Sequence, residues 1–440
     1  MKSKTFMAHL ATTSALALSV AFAPAANALT VRDDVTVAGS EEYGDNTQWD
    51  GVVQIYMLNN QTGSISFNCT GSLINGRTVL SAAHCFNSYP SYFYDDYNNA
   101  LSPIIAYGPD TFDALFGWIS SGAASSFYEI DERNGLVLGN QVLIHPDADP
   151  AFGSALNFPA ADVAMVSLSN PLAHLPSFAM LFSPVGVGEH VSMVGYGGHG
   201  IGSTGDVGID GKRQAGENLI GMVGSQVDFL SAIFGTDASP YYTNAPGANQ
   251  SMYWIDFDNP DRTGEECGRD GIGDWACTDG VAWWYFDNPF TNTWFNTSLS
   301  NDIFPDDALP YESGTAGGDS GSAIFFDQLG DAPIIGGVLS GGFTFVSPVP
   351  SGYSDVSYYN PLFNYYDFIV EANPYKYVSA IEGDGLWSDA THWVQDLDPN
   401  YLIIDENGNL VNGIPDAPEP GTGSVGPVSY THLRAHETAM

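Results

Sequence analysis

The sequence predicts an all-β fold, a barrel or sandwich of short antiparallel strands, and two observations carry the prediction. Residues 29–380 consist of short runs of alternating apolar residues, and the runs are separated by Gly, Pro, Asn and Asp rather than by helical stretches. A parallel α/β sheet needs strands alternating with amphipathic helices, which this spacing does not offer. In chain order the clearest strands are 79–80, 141–146, 163–168, 190–197 and 323–326.

The N-terminal end reads differently. Lys2 and Lys4 precede an apolar stretch at 15–23 and then Ala26-Asn27-Ala28. A positive start, a short apolar core and an A-x-A ending describe a secretory signal peptide, residues 1–28, cut to leave Leu29 as the mature N terminus. The stretch is too short for a stable membrane span, and no later run has 18 uninterrupted apolar residues. A secreted or cell-surface protein of a bacterium is expected, without a transmembrane helix.

The chain carries 51 acidic against 11 Lys+Arg residues, a formal charge of −40. Such a surface repels a phosphate backbone, so nucleic acid is excluded as a partner. The acidity serves solubility in a salty environment. No cofactor or metal is expected: Asp clusters suit calcium in principle, but none follows the EF-hand loop pattern. The four cysteines, Cys69, Cys85, Cys267 and Cys277, allow three connectivities. The local pairing, Cys69–Cys85 and Cys267–Cys277, is favoured for an exported chain. Their spacing lacks the C-x2-C of zinc sites.

Three runs carry chemistry. Leu80-Ser81-Ala82-Ala83-His84-Cys85 places a histidine beside a cysteine at the end of an apolar strand. Asp162 opens the apolar run 163–168. Gly317-Gly318-Asp319-Ser320-Gly321-Ser322 presents a serine between glycines. A serine hydroxyl needs a base to take its proton, a histidine is suited to that task near neutral pH, and a carboxylate fixes the histidine tautomer. His, then Asp, then Ser is the order of one known triad, and G-x-S-x-G is not satisfied because position 322 is Ser.

Order and local context together resemble the trypsin/chymotrypsin-like serine peptidases. The resemblance implies two six-stranded antiparallel β-barrels with the site in the cleft between them. His84 and Asp162 would lie on the first barrel, Ser320 on the second, and a C-terminal helix at 366–372 would close the domain. It also implies a Cys69–Cys85 bridge beside the catalytic histidine and an oxyanion hole made by the N–H groups of Gly318 and Ser320. Asp319 would pair with a newly freed N-terminal amine. No Ile-Val-Gly-Gly-like activation sequence is present near 29–52, so that amine would come from Leu29 or from a cut near Arg32.

The specificity pocket is expected from Gly314, Ser340 and Gly342. Six residues before the nucleophile, where trypsin-like enzymes carry the acid that selects Arg or Lys, this chain has Gly314. A neutral pocket favouring apolar or small side chains follows, because no buried carboxylate offsets desolvation of a cation. Gly341 stands where the family usually has Trp, which implies an open substrate-strand platform.

The Asp162–Ser320 interval is about twice the His84–Asp162 interval, which points to an insertion within 219–312, read as surface loops around the cleft and carrying Cys267 and Cys277. The peptidase domain is placed at 29–380. Beyond it, 381–427 is rich in Trp, Gly and Pro. Its Gly385-Leu386-Trp387-Ser388 and His392-Trp393 either resemble the segment after the protease unit of bacterial autotransporters or form a Trp-anchored hairpin. Residues 428–440 match the translation of a sequencing adapter and are set aside. The expected function is a secreted serine endopeptidase acting on proteins or peptides. A catalytically silent adhesin on the same fold, or an esterase with the same triad, is the alternative.

Overall fold

The computed structural model describes residues 29–413 apart from 61, 88–100, 121–134, 149–159, 235–236, 238, 240–246, 248, 261–275, 279–280, 288–293, 301–302, 305–307, 345–348, 376, 381–382, 396–397 and 399. The expected signal peptide and the adapter-like end lie outside the described residues. So does the expected Cys267–Cys277 disulfide: Cys267 is not among the described residues, and Cys277 is described only in its main chain.

A short strand β1 (Thr30–Val31) and helix α1 (Val37–Gly44) lead into a closed barrel. Its strands are β2 (Val52–Asn59), β3 (Ile65–Asn75), β4 (Thr78–Ser81), β5 (Leu101–Ala106), β6 (Leu136–Ile144) and β7 (Ala164–Leu168), in the spatial order β2-β3-β4-β7-β6-β5. Helices α2 (His84–Asn87) and α3 (Thr111–Ser120) follow β4 and β5. The period of two along a strand explains why β2 is apolar on both faces. Ile55 and Met57 join the main core, whereas Tyr56 and Leu58 turn to Leu115 and Trp118 of α3.

The second half comprises β8 (Ala179–Leu181), β9 (His190–Gly195), β10 (Gly198–Ile201), β11 (Gly205–Ile209), β12 (Gln214–Leu219), β13 (Met222–Gly224), α4 (Gln226–Phe234) and β14 (Met252–Asp256). After it come β15 (Ala276–Thr278), β16 (Val281–Asp287), β17 (Trp294–Ser300), β18 (Ser313–Gly314), β19 (Ala323–Phe326), β20 (Ile334–Thr344) and β21 (Asp355–Pro361). The chain continues through α5 (Tyr366–Ala372), β22 (Val378–Ala380), β23 (Trp393–Gln395), β24 (Tyr401–Ile404) and β25 (Leu410–Asn412). The main sheet runs β12-β9-β19-β20-β21-β14-β13 as a half-barrel, and α5 is the expected closing helix. The architecture is the chymotrypsin-like double barrel that the sequence implied, with the second unit left open. No helix among the described residues is long and apolar enough to cross a membrane.

Two boundaries shift. The stretch 219–312 is not surface loop throughout: β14 is buried along its whole length and pairs with β21, so it is a core strand. What stands apart from that sheet is the β15–β17 hairpin array, in which the Cys277 main chain pairs with Ala282. The domain also does not stop at 380. β24 pairs in parallel with β8, and Tyr401 belongs to the main core cluster, because the chain returns to cover the apolar end of the second sheet. Between these, β22 pairs with β23, and Trp393 Nε1 donates to the Trp387 carbonyl at 3.1 Å, which is the Trp-anchored hairpin.

One surface cluster of the second sheet is tuned by pH. His190 on β9 lies 3.0 Å from both Asp327 Oδ1 and Glu217 Oε2. Bonding to Asp327 and then to Glu217 raises its pKa to about 9 against partial burial. A raised folded-state pKa stabilises fully below the unfolded value of about 6.5 and loses that contribution as pH climbs through the folded value. His190→Gln is therefore expected to lower the denaturation midpoint clearly at pH 6 and hardly at all at pH 10. An equal loss at both pH values would contradict the ion-pair account.

Candidate active site

His84 begins α2, one short turn after β4, and its position is held from three sides. The Cys69–Cys85 disulfide ties the turn back to β3; of the two expected bridges it is the one whose half-cystines are both described. The His84 main-chain N–H donates to Asp162 Oδ1 at 2.7 Å, and its Nδ1 meets Asp162 Oδ2 at 2.7 Å. Asp162 precedes β7, the strand paired with β4, so β-sheet register brings the two residues together. Its carboxylate is 1 % exposed. Ser340 Oγ donates to the same Oδ2. Three donors thus converge on one buried carboxylate, which is how a buried charge is kept.

Ser320 arrives from the other half. Its carbonyl accepts from Thr70 N–H at 2.9 Å and lies 3.6 Å from Cys85 Sγ. Thr70 Oγ1 donates to Gly318 O at 3.0 Å and accepts from Tyr196 N–H at 3.1 Å. Thr70 therefore links the serine loop and the end of β9 to the first barrel, a role the sequence reading missed. Gly321 has φ +82°, and an added Cβ would collide with Ser81 Oγ and the Thr70 carbonyl, so only glycine allows this approach. Gly318, at φ +97°, shapes the turn before the nucleophile. Asp319 N–H bonds Ala316 O, while the N–H groups of Gly318 and Ser320 find no acceptor among the described residues.

Asp319 is fully buried. Its oxygens accept from Ala316 N–H at 3.1 Å and Gly197 N–H at 3.3 Å, and burial still pushes its pKa well above the usual carboxylate range. No cation offsets that burial among the described residues.

Beside Ser320 opens a cavity of about 550 Å³, counting its solvent-filled mouth. Of the residues expected to build the pocket, only Gly342 lines it. Ser340 turns away to Asp162, and Gly314 is held in β18, where an added Cβ would face Phe257. Gly341 also lines the cavity, and the Tyr358 hydroxyl occupies the space a Cβ there would need.

In contrast to the neutral pocket expected from Gly314, this cavity carries a carboxylate. Asp355, at the start of β21, lines the cavity at 9 % exposure. Its Oδ2 accepts from Thr344 Oγ1 at 2.8 Å and Ser351 N–H at 2.5 Å. Its Oδ1 is buried without a hydrogen-bond partner among the described residues. Burial raises the carboxyl to about 7. Counting back from Ser320 could not find this acid, which enters from a strand distant in sequence.

A family model described as Trypsin matches residues 28–104. The matched stretch takes in β2–β4, Cys69, Cys85 and His84, and ends before Asp162 and Ser320. No curated protein matches the chain. The match and the double-barrel fold together support a serine-protease-type domain of the trypsin/chymotrypsin kind, with protein as its substrate.

Proposed function

We propose that this chain is a secreted serine endopeptidase in which Ser320 is the nucleophile, His84 the base and Asp162 the group that orients and stabilises His84. The observation that carries the reading is the pair of hydrogen bonds by which a buried carboxylate fixes His84. With Nδ1–H committed to Asp162, Nε2 is the imidazole atom that takes the Ser320 Oγ proton. Oγ then attacks the peptide carbonyl carbon, and the oxyanion accepts the N–H groups of Gly318 and Ser320. His84 returns the proton to the leaving nitrogen as the C–N bond breaks. Water, deprotonated by the same imidazole, hydrolyses the acyl ester and restores Ser320.

Asp319 fits a partner that the uncut chain lacks. Leu29 is 1 % exposed, and Thr30 is locked between Gly200 and Gly314. Cleavage after Ala28 would release an ammonium at Leu29, on the strand that pairs with the segment leading into the serine loop. A cut near Arg32 would discard β1, so the Leu29 amine is the better partner.

One experiment tests both parts. The protein, expressed with its leader and recovered from the medium, is treated with a serine-directed phosphonylating probe and peptide-mapped. A mature N terminus at Leu29 and a label on Ser320 are expected. No label on Ser320 in folded protein would favour a silent binding module instead. The same map, run without reductant, is expected to join Cys267 to Cys277; a link from either to Cys69 or Cys85 would contradict the local pairing.

A further inference from the structure

Asp355 has no part in the chemistry just described, yet it is the one acidic side chain lining the cavity beside Ser320 among the described residues. Three features set it apart from a structural acid. It faces the cavity that also meets the nucleophile, it is more than nine-tenths buried, and one of its oxygens has no partner among the described residues. An unpaired buried acceptor is costly, and a ligand that donates to it recovers that cost. The wall leading to it is partly apolar, with Leu339, Phe343 and Val356. A side chain with a long methylene stem and a cationic tip would bury its stem along such a wall and present its head to the carboxylate.

We propose that Asp355 is the residue that selects the substrate side chain before the scissile bond, accepting Arg or Lys when ionised and uncharged side chains when protonated. The inference rests on the peptidase reading and names the substrate class of that same site. It replaces the apolar preference expected from Gly314: the acid comes from the start of β21 rather than from the loop before Ser320.

The carboxyl's surroundings make the selection respond to pH. Facing it are the Thr344 hydroxyl from β20 and the Ser351 N–H from the preceding loop, while the Phe257 N–H, after β14, donates to its main-chain carbonyl. None of these is charged: the two hydrogen bonds offset part of the anion's desolvation, and among the described residues no cation offsets the rest. The raised pKa places the change of form near neutrality. A bound guanidinium or ammonium favours the anion, so basic substrates gain as pH rises, whereas neutral ones do not gain from this group.

The test uses two peptides that differ only in arginine or its neutral isostere citrulline before the scissile bond. The readout is the ratio of their kcat/KM values, in which any pH dependence of the chemical step, common to both peptides, cancels. In the native enzyme the ratio is expected to rise between pH 5.5 and pH 8.5. At pH 8.5, Asp355→Asn is expected to reduce it about 100-fold, the scale on which removing one partner of a buried charge pair acts, and Asp355→Glu to restore part of it. The pH series needs no variant, so a misfolded mutant does not remove the test. A ratio near one at every pH, with both peptides still cut, overturns the role of Asp355 and leaves the peptidase intact. Cleavage of neither peptide by protein whose Ser320 takes the probe overturns the peptidase reading, and this inference with it.

Discussion

Ser320→Ala is expected to lower kcat by about 10^6-fold, the loss seen when a nucleophile is removed from a triad that acts as a unit. His84→Ala should cost about as much, and the double variant should be little worse than either alone, because each single change already disables the same step. Asp162→Asn should cost about 10^4-fold. Its effect has a specific origin: Asp162 receives the imidazole, the His84 main-chain N–H and the Ser340 hydroxyl, all donors. An amide there must turn its NH2 toward one of them, which favours the tautomer with Nε2 protonated and unable to act as a base. Peptide hydrolysis under saturating substrate, with circular dichroism as a check on folding, reads all four variants. Turnover by Ser320→Ala close to that of the native enzyme would sink the assignment.

The second large effect concerns stability. Arg213 has no exposed side-chain surface, and its guanidinium donates to the Gly44 carbonyl at 2.7 Å, the Trp49 carbonyl at 2.9 Å and Asp50 Oδ1 at 2.8 Å. The residue just before β12 thus anchors the segment that joins α1 to β2. Arg213→Leu leaves two carbonyls and a partly buried carboxylate without their donor, and a loss of about 3–5 kcal/mol is expected. Denaturant midpoints measure it, and a loss below about 1 kcal/mol would show that water replaces the guanidinium freely. Arg213→Lys should recover only part, since one ammonium does not reproduce a planar fork reaching three acceptors.

The sequence showed the catalytic candidates because each is announced by its neighbours: His84 by the strand and cysteine around it, Asp162 by the apolar run it opens, Ser320 by glycines that only a tight turn requires. Strand positions such as 164–168 and 323–326 were legible for the same local reason. Specificity was not. Counting along the chain points to Gly314, but a cavity is lined by whatever strand packs there, and Asp355 reaches the one beside Ser320 through the β20–β21 pairing. β14 was hidden because it sits in a long stretch whose flanks do not alternate. β24 was hidden because its Tyr401-Leu402-Ile403-Ile404 is a short apolar run without alternation, following a stretch rich in Asp.

Thr70 has a consequence for how such a chain can change over time. Two halves with separate sheets meet at one seam, and the contacts that cross it include Thr70 to the serine loop and to Tyr196, Ser340 to Asp162, and Gly321 against Ser81. Those contacts lie at the seam, whereas the β15–β17 hairpins pair only with one another in a sheet of their own. Length gained as such a separate sheet leaves the strand pairing of both halves unchanged. A single methyl added at Gly321, by contrast, collides with Ser81 and the Thr70 carbonyl at the seam itself.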